Sequence, residues 1–231
     1  MSEVFELEVL SSMPNYHAWI MEAFAPLVRG RVVEYGAGKG TISERLAPLA
    51  EKLILVEPLA SLAPILRAKF RDDPKIEVAE VSLEQHAATI GDGAVDTVVM
   101  VNVLEHIQND REMLLQLCRI LRSDGYLLIF VPALRGLMSK LDVLFGHFRR
   151  YHRSELFEKV TQAGGDVQSC CYFDFLGVFP WFLLNKLMGA TTFNPKLVHI
   201  NDKFVVPISA TVERVISPPL GKNIILVARK R

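Results

Sequence analysis

An acid, Glu34, stands two positions before three glycines that recur at every second residue, Gly36, Gly38 and Gly40. A second acid, Glu57, closes the next apolar run, Leu53-Ile54-Leu55-Val56. Glycine admits positive φ and lets a ligand lie close to the backbone. A carboxylate at the tip of the second strand can accept hydrogen bonds from ribose hydroxyls, as the acid about 20 residues on does in dinucleotide folds. Strand, glycine turn, helix and a second parallel strand ending in an acid together predict a site for a nucleoside-containing cofactor.

The spacing separates the candidates. A dinucleotide fingerprint reads G-x-G-x-x-G, whereas here the third glycine comes one residue earlier. A pyrophosphate sits on a helix N-terminus, and Glu34 would repel it while suiting a cation. The phosphate loop G-x-x-x-x-G-K-[ST] fails as well, because Val33 and Gly40 occupy the positions flanking Gly38-Lys39 that it needs. Taken alone, three glycines also fit an ordinary strand-to-helix turn. The acid-x-Gly-x-Gly-x-Gly pattern resembles motif I of the class I S-adenosylmethionine methyltransferases, whose cofactor carries a sulfonium, an ammonium and no phosphate.

The elements that must hold these residues follow from periodicity. Ser12 and Pro14 mark a helix start, and Tyr16, Trp19, Ile20, Ala23, Phe24 and Leu27 recur at helical spacing until Gly30 stops the helix. Strands are predicted at about 31–35, 52–56, 75–80, 95–101 and 125–131, with helices at about 40–49, 60–70 and 109–121. That alternation gives a parallel sheet with right-handed crossovers, its central strands apolar on both faces. Beyond residue 132 the pattern changes: a polar helical segment to 165, a strand at 166–173, an apolar helix at 176–189, a helix at 203–216 and a last strand from Asn223 to Ala228. The expectation is an α/β, Rossmann-like seven-stranded sheet, mostly parallel with one antiparallel strand and helices on both faces. Residues 1–231 form a single domain in which 132–220 contain a helical lid on the substrate side.

Ligands of an open parallel sheet bind beyond the carboxyl ends of the strands. Polar residues stand at successive tips: Glu34, Glu57, Glu80, then Asn102 with His106, and Pro132 follows the fifth strand. The resemblance gives these tips roles. It implies that Glu34 orients the glycine turn and the cofactor ammonium, and that Gly36, Ala37, Gly38 and Gly40 lie against the methionyl part. It implies Glu57, followed by Pro58, on the ribose hydroxyls, Glu80 and the Val81 amide on adenine, and Asn102, Val103 and Tyr16 on the methionyl side. A solvated loop acid is the alternative for Glu57, and Glu77 and Glu84 compete with Glu80. Asp96–Val101, Asn102-Val103-Leu104-Glu105-His106-Ile107 and Leu121–Tyr126 resemble motifs IV to VI of small-molecule methyltransferases, with Tyr126 where a second glycine is usual. No Pro-Pro-aromatic follows Asn102, so adenine or glutamine amino groups are not the expected acceptors.

Asn15-Tyr16 with Trp19-Ile20, Leu141-Asp142, Gly146-His147-Phe148-Arg149-Arg150-Tyr151, Phe175-Leu176-Gly177 and Pro218–Lys222 resemble one bacterial subfamily, often encoded beside glycosyltransferases and other surface-polysaccharide genes. The likeness runs from about residue 13 to 230 and implies the reaction without the acceptor. Of the basic cluster, His147, Arg149, Arg150 and the Tyr151 within it are candidates to face an acceptor phosphate or carboxylate. Pairing of the arginines with helix carbonyls or acids such as Asp142 is the alternative. His106, one helical turn past Asn102, is the candidate general base, or else a hydrogen-bonding support. The apolar run Phe173–Leu187 reads as lid or core, or as a surface for a lipid tail.

Composition bounds the rest. At 231 residues, half of them hydrophobic, the chain can build a sizeable core, and its zero net charge argues against nucleic-acid partners. Three cysteines make neither a disulfide framework nor a paired metal motif, and no spacing of acids and histidines predicts a metal. The longest apolar stretch, Phe175–Leu184, falls short of the roughly 20 residues that span a bilayer. Met1–Glu6 is acidic, without a basic-then-apolar leader, so a cytoplasmic location is expected. The function expected from the resemblance is methyl transfer from S-adenosylmethionine, leaving S-adenosylhomocysteine, to a small-molecule, sugar or lipid-linked acceptor. The alternatives are a non-catalytic cofactor- or partner-binding protein and an NAD-dependent oxidoreductase.

Overall fold

The computed structural model describes Val9 and residues 12–231; the acidic stretch Met1–Glu6 lies outside the described residues. Seven strands form the sheet: β1 (Arg31–Tyr35), β2 (Lys52–Val56), β3 (Ile76–Ala79), β4 (Val95–Val101), β5 (Leu121–Pro132), β6 (Gly165–Phe173) and β7 (Asn223–Lys230). Their spatial order is β3-β2-β1-β4-β5-β7-β6. The pairs among β1 to β5 are parallel, and β7 runs antiparallel to both β5 and β6. Strand order therefore reverses between β1 and β4, which opens a crevice at their carboxyl ends.

The helices are α1 (Pro14–Phe24), α2 (Ser43–Leu46), α3 (Ala63–Lys69), α4 (Leu83–Thr89), α5 (Asp110–Ile120), α6 (Lys140–Leu144) and α7 (Arg153–Gln162). Between β6 and β7 come α8 (Val178–Pro180), leading into a π-helical turn over Trp181–Leu187, then α9 (Pro195–Ile200), a second π-helical turn (Asn201–Val205) and α10 (Val206–Glu213). Side chains of a strand alternate between its faces, and here both faces are covered. Val33, Tyr35, Ile54, Val98 and Met100 pack with Leu114 and Leu117 of α5. Val32, Leu53, Leu55 and Val99 pack with Ile20 and Phe24 of α1 and Leu66 of α3. Cys170 and Cys171 follow the same alternation, one against each core, and all three cysteines are free thiols. Among the described residues no helix is long and apolar enough to cross a membrane.

The structure corrects several boundaries. The helix expected over 40–49 shrinks to Ser43–Leu46, because Gly40 takes φ +79° in the turn. α4 was not expected, yet its signal was present: Ser82 and Gln85 form a reciprocal capping box. Ser12 does not cap α1; its hydroxyl donates to the Val9 carbonyl at 2.7 Å, and Met13 occupies the cap position. α1 ends at Phe24 and tightens into a 3₁₀ turn, Ala25–Leu27, before Gly30 redirects the chain. β5 starts at Leu121, earlier than expected. The segment 132–165 is helical only in part: after α6 the chain is extended, and Tyr151 forms a bridge with Ala133 beside β5.

Candidate functional site

The glycine turn lies over the end of β2. The amides of Gly36 and Ala37 both donate to the Val56 carbonyl, at 2.8 and 3.2 Å. Gly36 has φ +70°, and a Cβ there would stand 2.4 Å from Val103 Cγ2, so the position requires glycine. Gly38, at φ +57°, has open space where a Cβ would be, with nothing beyond its own chain neighbours within 4 Å. Its amide donates to Glu57 Oε2 at 2.8 Å, and Glu57 Oε1 accepts from the Leu59 amide at 3.0 Å. Glu57 is thus a buried brace that fixes the turn from below. Glu34, also buried, accepts from the Ser43 hydroxyl at 2.5 Å. Burial pushes its carboxyl up to about 8, with the Ser43 bond opposing.

A cavity of about 270 Å³ opens beside this turn. Glu34, Gly36, Ala37 and Gly38 form one wall, and Asn102 and His106, beyond β4, form another. Asn102 adopts φ +53°, a left-handed conformation that asparagine tolerates better than most residues. Tyr16 closes the α1 side, its hydroxyl donating to Asn223 Oδ1 at 2.9 Å. Trp181 and Phe193, from the region between β6 and β7, complete the far side with His147 and Arg150.

Other expected cofactor residues, Glu57 among them, lie outside this lining. Gly40 packs on Phe70 and Leu66, and Val103 packs on Gly36. Pro58 is exposed next to Glu57, and Val81 is at the surface. Glu80, also exposed, is ion-paired with Arg67 at 2.9 Å.

Arg149, Arg150 and Tyr151 alternate in direction. Arg150 turns towards the cavity: its Nε and Nη2 reach Asp142 Oδ1, both at 2.8 Å, and its guanidinium lies 4.4 Å from the Trp181 ring centre. Arg149 and Tyr151 turn the other way, to Asp110. Arg149 Nη1 is 2.7 Å and the Tyr151 hydroxyl 2.8 Å from Asp110 Oδ2, which Lys159 also approaches at 2.6 Å. The arginines therefore pair with acids, Arg149 also with the Gln108 carbonyl, and only Arg150 reaches the cavity.

Asp142 is wholly buried, accepting from the Ser139 amide and hydroxyl at 2.8 Å and from His147 Nδ1 at 3.0 Å. Burial alone would raise its carboxyl, but the bonds from His147 and Arg150 outweigh it and hold the group at about 2. The His106 and His147 rings meet edge to face, 4.6 Å between centres. Partial enclosure by the loop, and then the neighbouring His147, pull His106 down to about 4, although one edge of the side chain stays solvent-accessible. Glu105 is fully buried beneath them, and burial pushes it up to about 7 against the opposing His147. Sequence spacing did not show that His147 joins Glu105 and His106, because the loop after α6 brings it there.

A sheet whose order reverses between β1 and β4, a glycine turn braced by Glu57 and a cavity at the reversal define an α/β fold with a ligand crevice at its strand tips. Comparison with known proteins places it further. Residues 8–174 match the family model described as a methyltransferase domain, and the chain belongs to that family. A Mycobacterium tuberculosis (strain H37Rv) protein named as a probable S-adenosylmethionine-dependent methyltransferase is 27% identical over 172 residues, 73% of this chain and 61% of that protein. The chain thus spans less than two thirds of that relative's length. A crystal structure of a S-adenosylmethionine-dependent methyltransferase from Archaeoglobus fulgidus shares the fold with TM-score 0.59 and 15% identity, over 91% of each chain. The [4+2]-cyclase SpnF shares it with TM-score 0.65 and 17% identity, over 94% of this chain and 80% of that one.

Proposed function

We propose that this protein transfers a methyl group from S-adenosylmethionine to a sugar or lipid-linked acceptor, leaving S-adenosylhomocysteine. The observation that carries this reading is the glycine turn at the strand reversal, with Glu34 and Glu57 at the adjoining strand tips and open space above Gly38, where a Cβ would meet nothing beyond its own chain neighbours within 4 Å. Glu57 at the turn disfavours a pyrophosphate, and Glu34, mostly protonated in the free protein, gains from ionising beside a cationic ligand. When bound, the cofactor supplies an electrophilic methyl group on sulfur. The chain's part is to hold both reactants and keep water out, a contribution on the order of 7–11 kcal/mol when alignment is good. Glu34 faces the ammonium, while Gly36, Ala37 and Gly38 offer backbone to the methionyl part. Tyr16 and Asn102 bound its far side, Val103 backs the turn at Gly36, and Gly40 keeps the turn close to α3. Glu57, with Pro58 beside it, takes the ribose, and Glu80 and the Val81 amide stand at the adenine rim.

Arg150 and His147 face the acceptor, with Trp181 as an apolar platform for a sugar ring. Arg149 and Tyr151 hold their loop through Asp110. His106 is neutral at pH 7 with its pKa near 4, which makes it a weak base and suits it to binding. Phe179, Phe182, Leu183 and Leu187 are exposed beside Trp181, as a lipid tail would require. The whole chain acts as one domain, with 132–220 containing the lid, and it works in the cytoplasm, where Cys118, Cys170 and Cys171 stay reduced.

Transfer of labelled methyl from S-adenosylmethionine to free and lipid-linked sugars tests this function. Greater incorporation into the lipid-linked sugars supports it. Cofactor binding without transfer to any acceptor would favour a binding protein, and preferential binding of NAD would favour an oxidoreductase.

Glu34 adds a pH signature. With its pKa near 8, the carboxyl is mostly protonated in the free protein at pH 7. An ammonium placed beside it favours the ionised form, so binding should expel most of a proton at pH 7 and progressively less as the pH rises through about 8. Affinity should accordingly rise as the pH approaches about 8 and fall beyond it, as the ligand's own ammonium loses its proton. Calorimetry in buffers of different ionisation enthalpy reads the proton directly, and Glu34→Gln should abolish it. Buffer-independent heats at pH 7 would contradict this role.

A further inference from the structure

We infer that Glu105, His106 and His147 bind one divalent transition-metal ion, with Zn²⁺ the best-matched type, at the acceptor end of the cavity. One ligand atom from each residue lies within 4.8 Å of the other two, and His147 Nε2 is 3.9 Å from Glu105 Oε1. Zinc bonds of about 2.0–2.2 Å set tetrahedral ligand atoms about 3.3–3.5 Å apart. Side-chain adjustments of roughly an ångström would close the site on that geometry.

Three further features point to an ion. Glu105 is completely buried, yet neither carboxylate oxygen has a hydrogen-bond partner on another described residue, and its own backbone amide is the one donor beside it. A carboxylate so placed is unfavourable unless a cation, donors or a proton satisfy it. Next, Asp142 accepts from His147 Nδ1, which assigns the proton to Nδ1 and leaves the lone pair on Nε2, the nitrogen towards Glu105. A carboxylate behind a histidine is the usual outer arrangement of a metal ligand, and Asp142 is itself fixed by Ser139 and Arg150. Finally, His106 and His147 both line the cavity, so a fourth coordination position would face it.

Two imidazoles and one carboxylate suit zinc or a neighbouring first-row ion better than calcium or magnesium, which prefer oxygen ligands. Three protein ligands with one open position is the pattern of reactive rather than structural zinc sites. Metal binding itself is independent of the methyl-transfer reading. The role of the ion rests on that reading: it would hold an oxygen donor of the acceptor, a hydroxyl or carboxylate, and so select acceptors that carry one near the methylated position.

Titration of the whole chain with Co²⁺, followed by its visible ligand-field bands and reversed with Zn²⁺, tests the site. One ion per chain is expected. Binding should be lost in Glu105→Gln and His147→Ala and weakened at least tenfold in His106→Ala, whose side chain is solvent-accessible and whose removal leaves the core intact. Failure to take up cobalt, uptake unchanged in both histidine variants, or sulfur-to-cobalt charge-transfer bands that move the ion to Cys170 or Cys171 would each overturn the assignment. S-adenosylmethionine calorimetry on the same preparations separates the two readings. Cobalt without cofactor binding preserves the metal site and defeats the methyl-transfer reading, and cofactor without cobalt binding does the reverse.

Discussion

Glu57→Ala should weaken S-adenosylmethionine binding about a hundredfold. Glu57 is asked to do two things at once. It holds the glycine turn through the Gly38 and Leu59 amides, and in the proposed complex it accepts from the ribose hydroxyls. Hydrogen bonds to a charged group contribute about 1.5–3 kcal/mol each, and each 1.4 kcal/mol is tenfold in affinity. Loss of two such bonds gives about 3 kcal/mol, before any loosening of the turn. Glu80→Gln is the control, because Glu80 is exposed and already paired with Arg67, and its loss should weaken binding less than tenfold. Calorimetric titration of both variants checks the pair. Equal affinities for Glu57→Ala and the parent would remove Glu57 from the site.

Asp142→Ala should lower stability by roughly 3–5 kcal/mol, the cost of leaving a buried charge unpaired. Arg150 is only 2% exposed, and its Nε and Nη2 both depend on this carboxylate. For a chain of this size the melting temperature should fall by about 6–20 °C. Arg149→Ala should cost far less, because Asp110 keeps Lys159 and Tyr151. The double variant Asp142→Ala, Arg150→Ala should lose less than the sum of the two single changes, since no lone charge is left behind. Thermal and urea denaturation measure all four. A melting temperature for Asp142→Ala within a degree or two of the parent would mean that the pair does not hold the loop.

What the sequence made legible was local. The apolar runs of β1, β2, β4 and β5 could be read because a strand covered on both faces has to be apolar at successive positions. The glycine turn could be read because its conformations exclude other residues, and Gly36 against Val103 is the clearest case. The antiparallel β7 was visible as one more apolar run after a long insertion. Other features depend on long-range contacts. Arg149 and Arg150 are adjacent and chemically identical, yet their opposite directions are set by Asp110 and Asp142, which lie on different elements. The apolar character of Phe175–Leu187 was plain, but its π-helical turn was not. His147 meets Glu105 only after the chain has passed through β5 and α6, so no spacing rule reports the cluster. The unexpected helix α4 is a different case, since the Ser82 to Gln85 capping signal was in plain view.

The central claim is that the tips of β1 and β2 cradle a cationic sulfur nucleoside. A crystal structure of the protein with S-adenosylhomocysteine tests it most directly. The account predicts the amino group at Glu34, the ribose hydroxyls on Glu57 and the thioether sulfur directed towards His106 and Arg150. A cradle closed by side chains, or the ligand seated elsewhere with the glycine turn untouched, would contradict it.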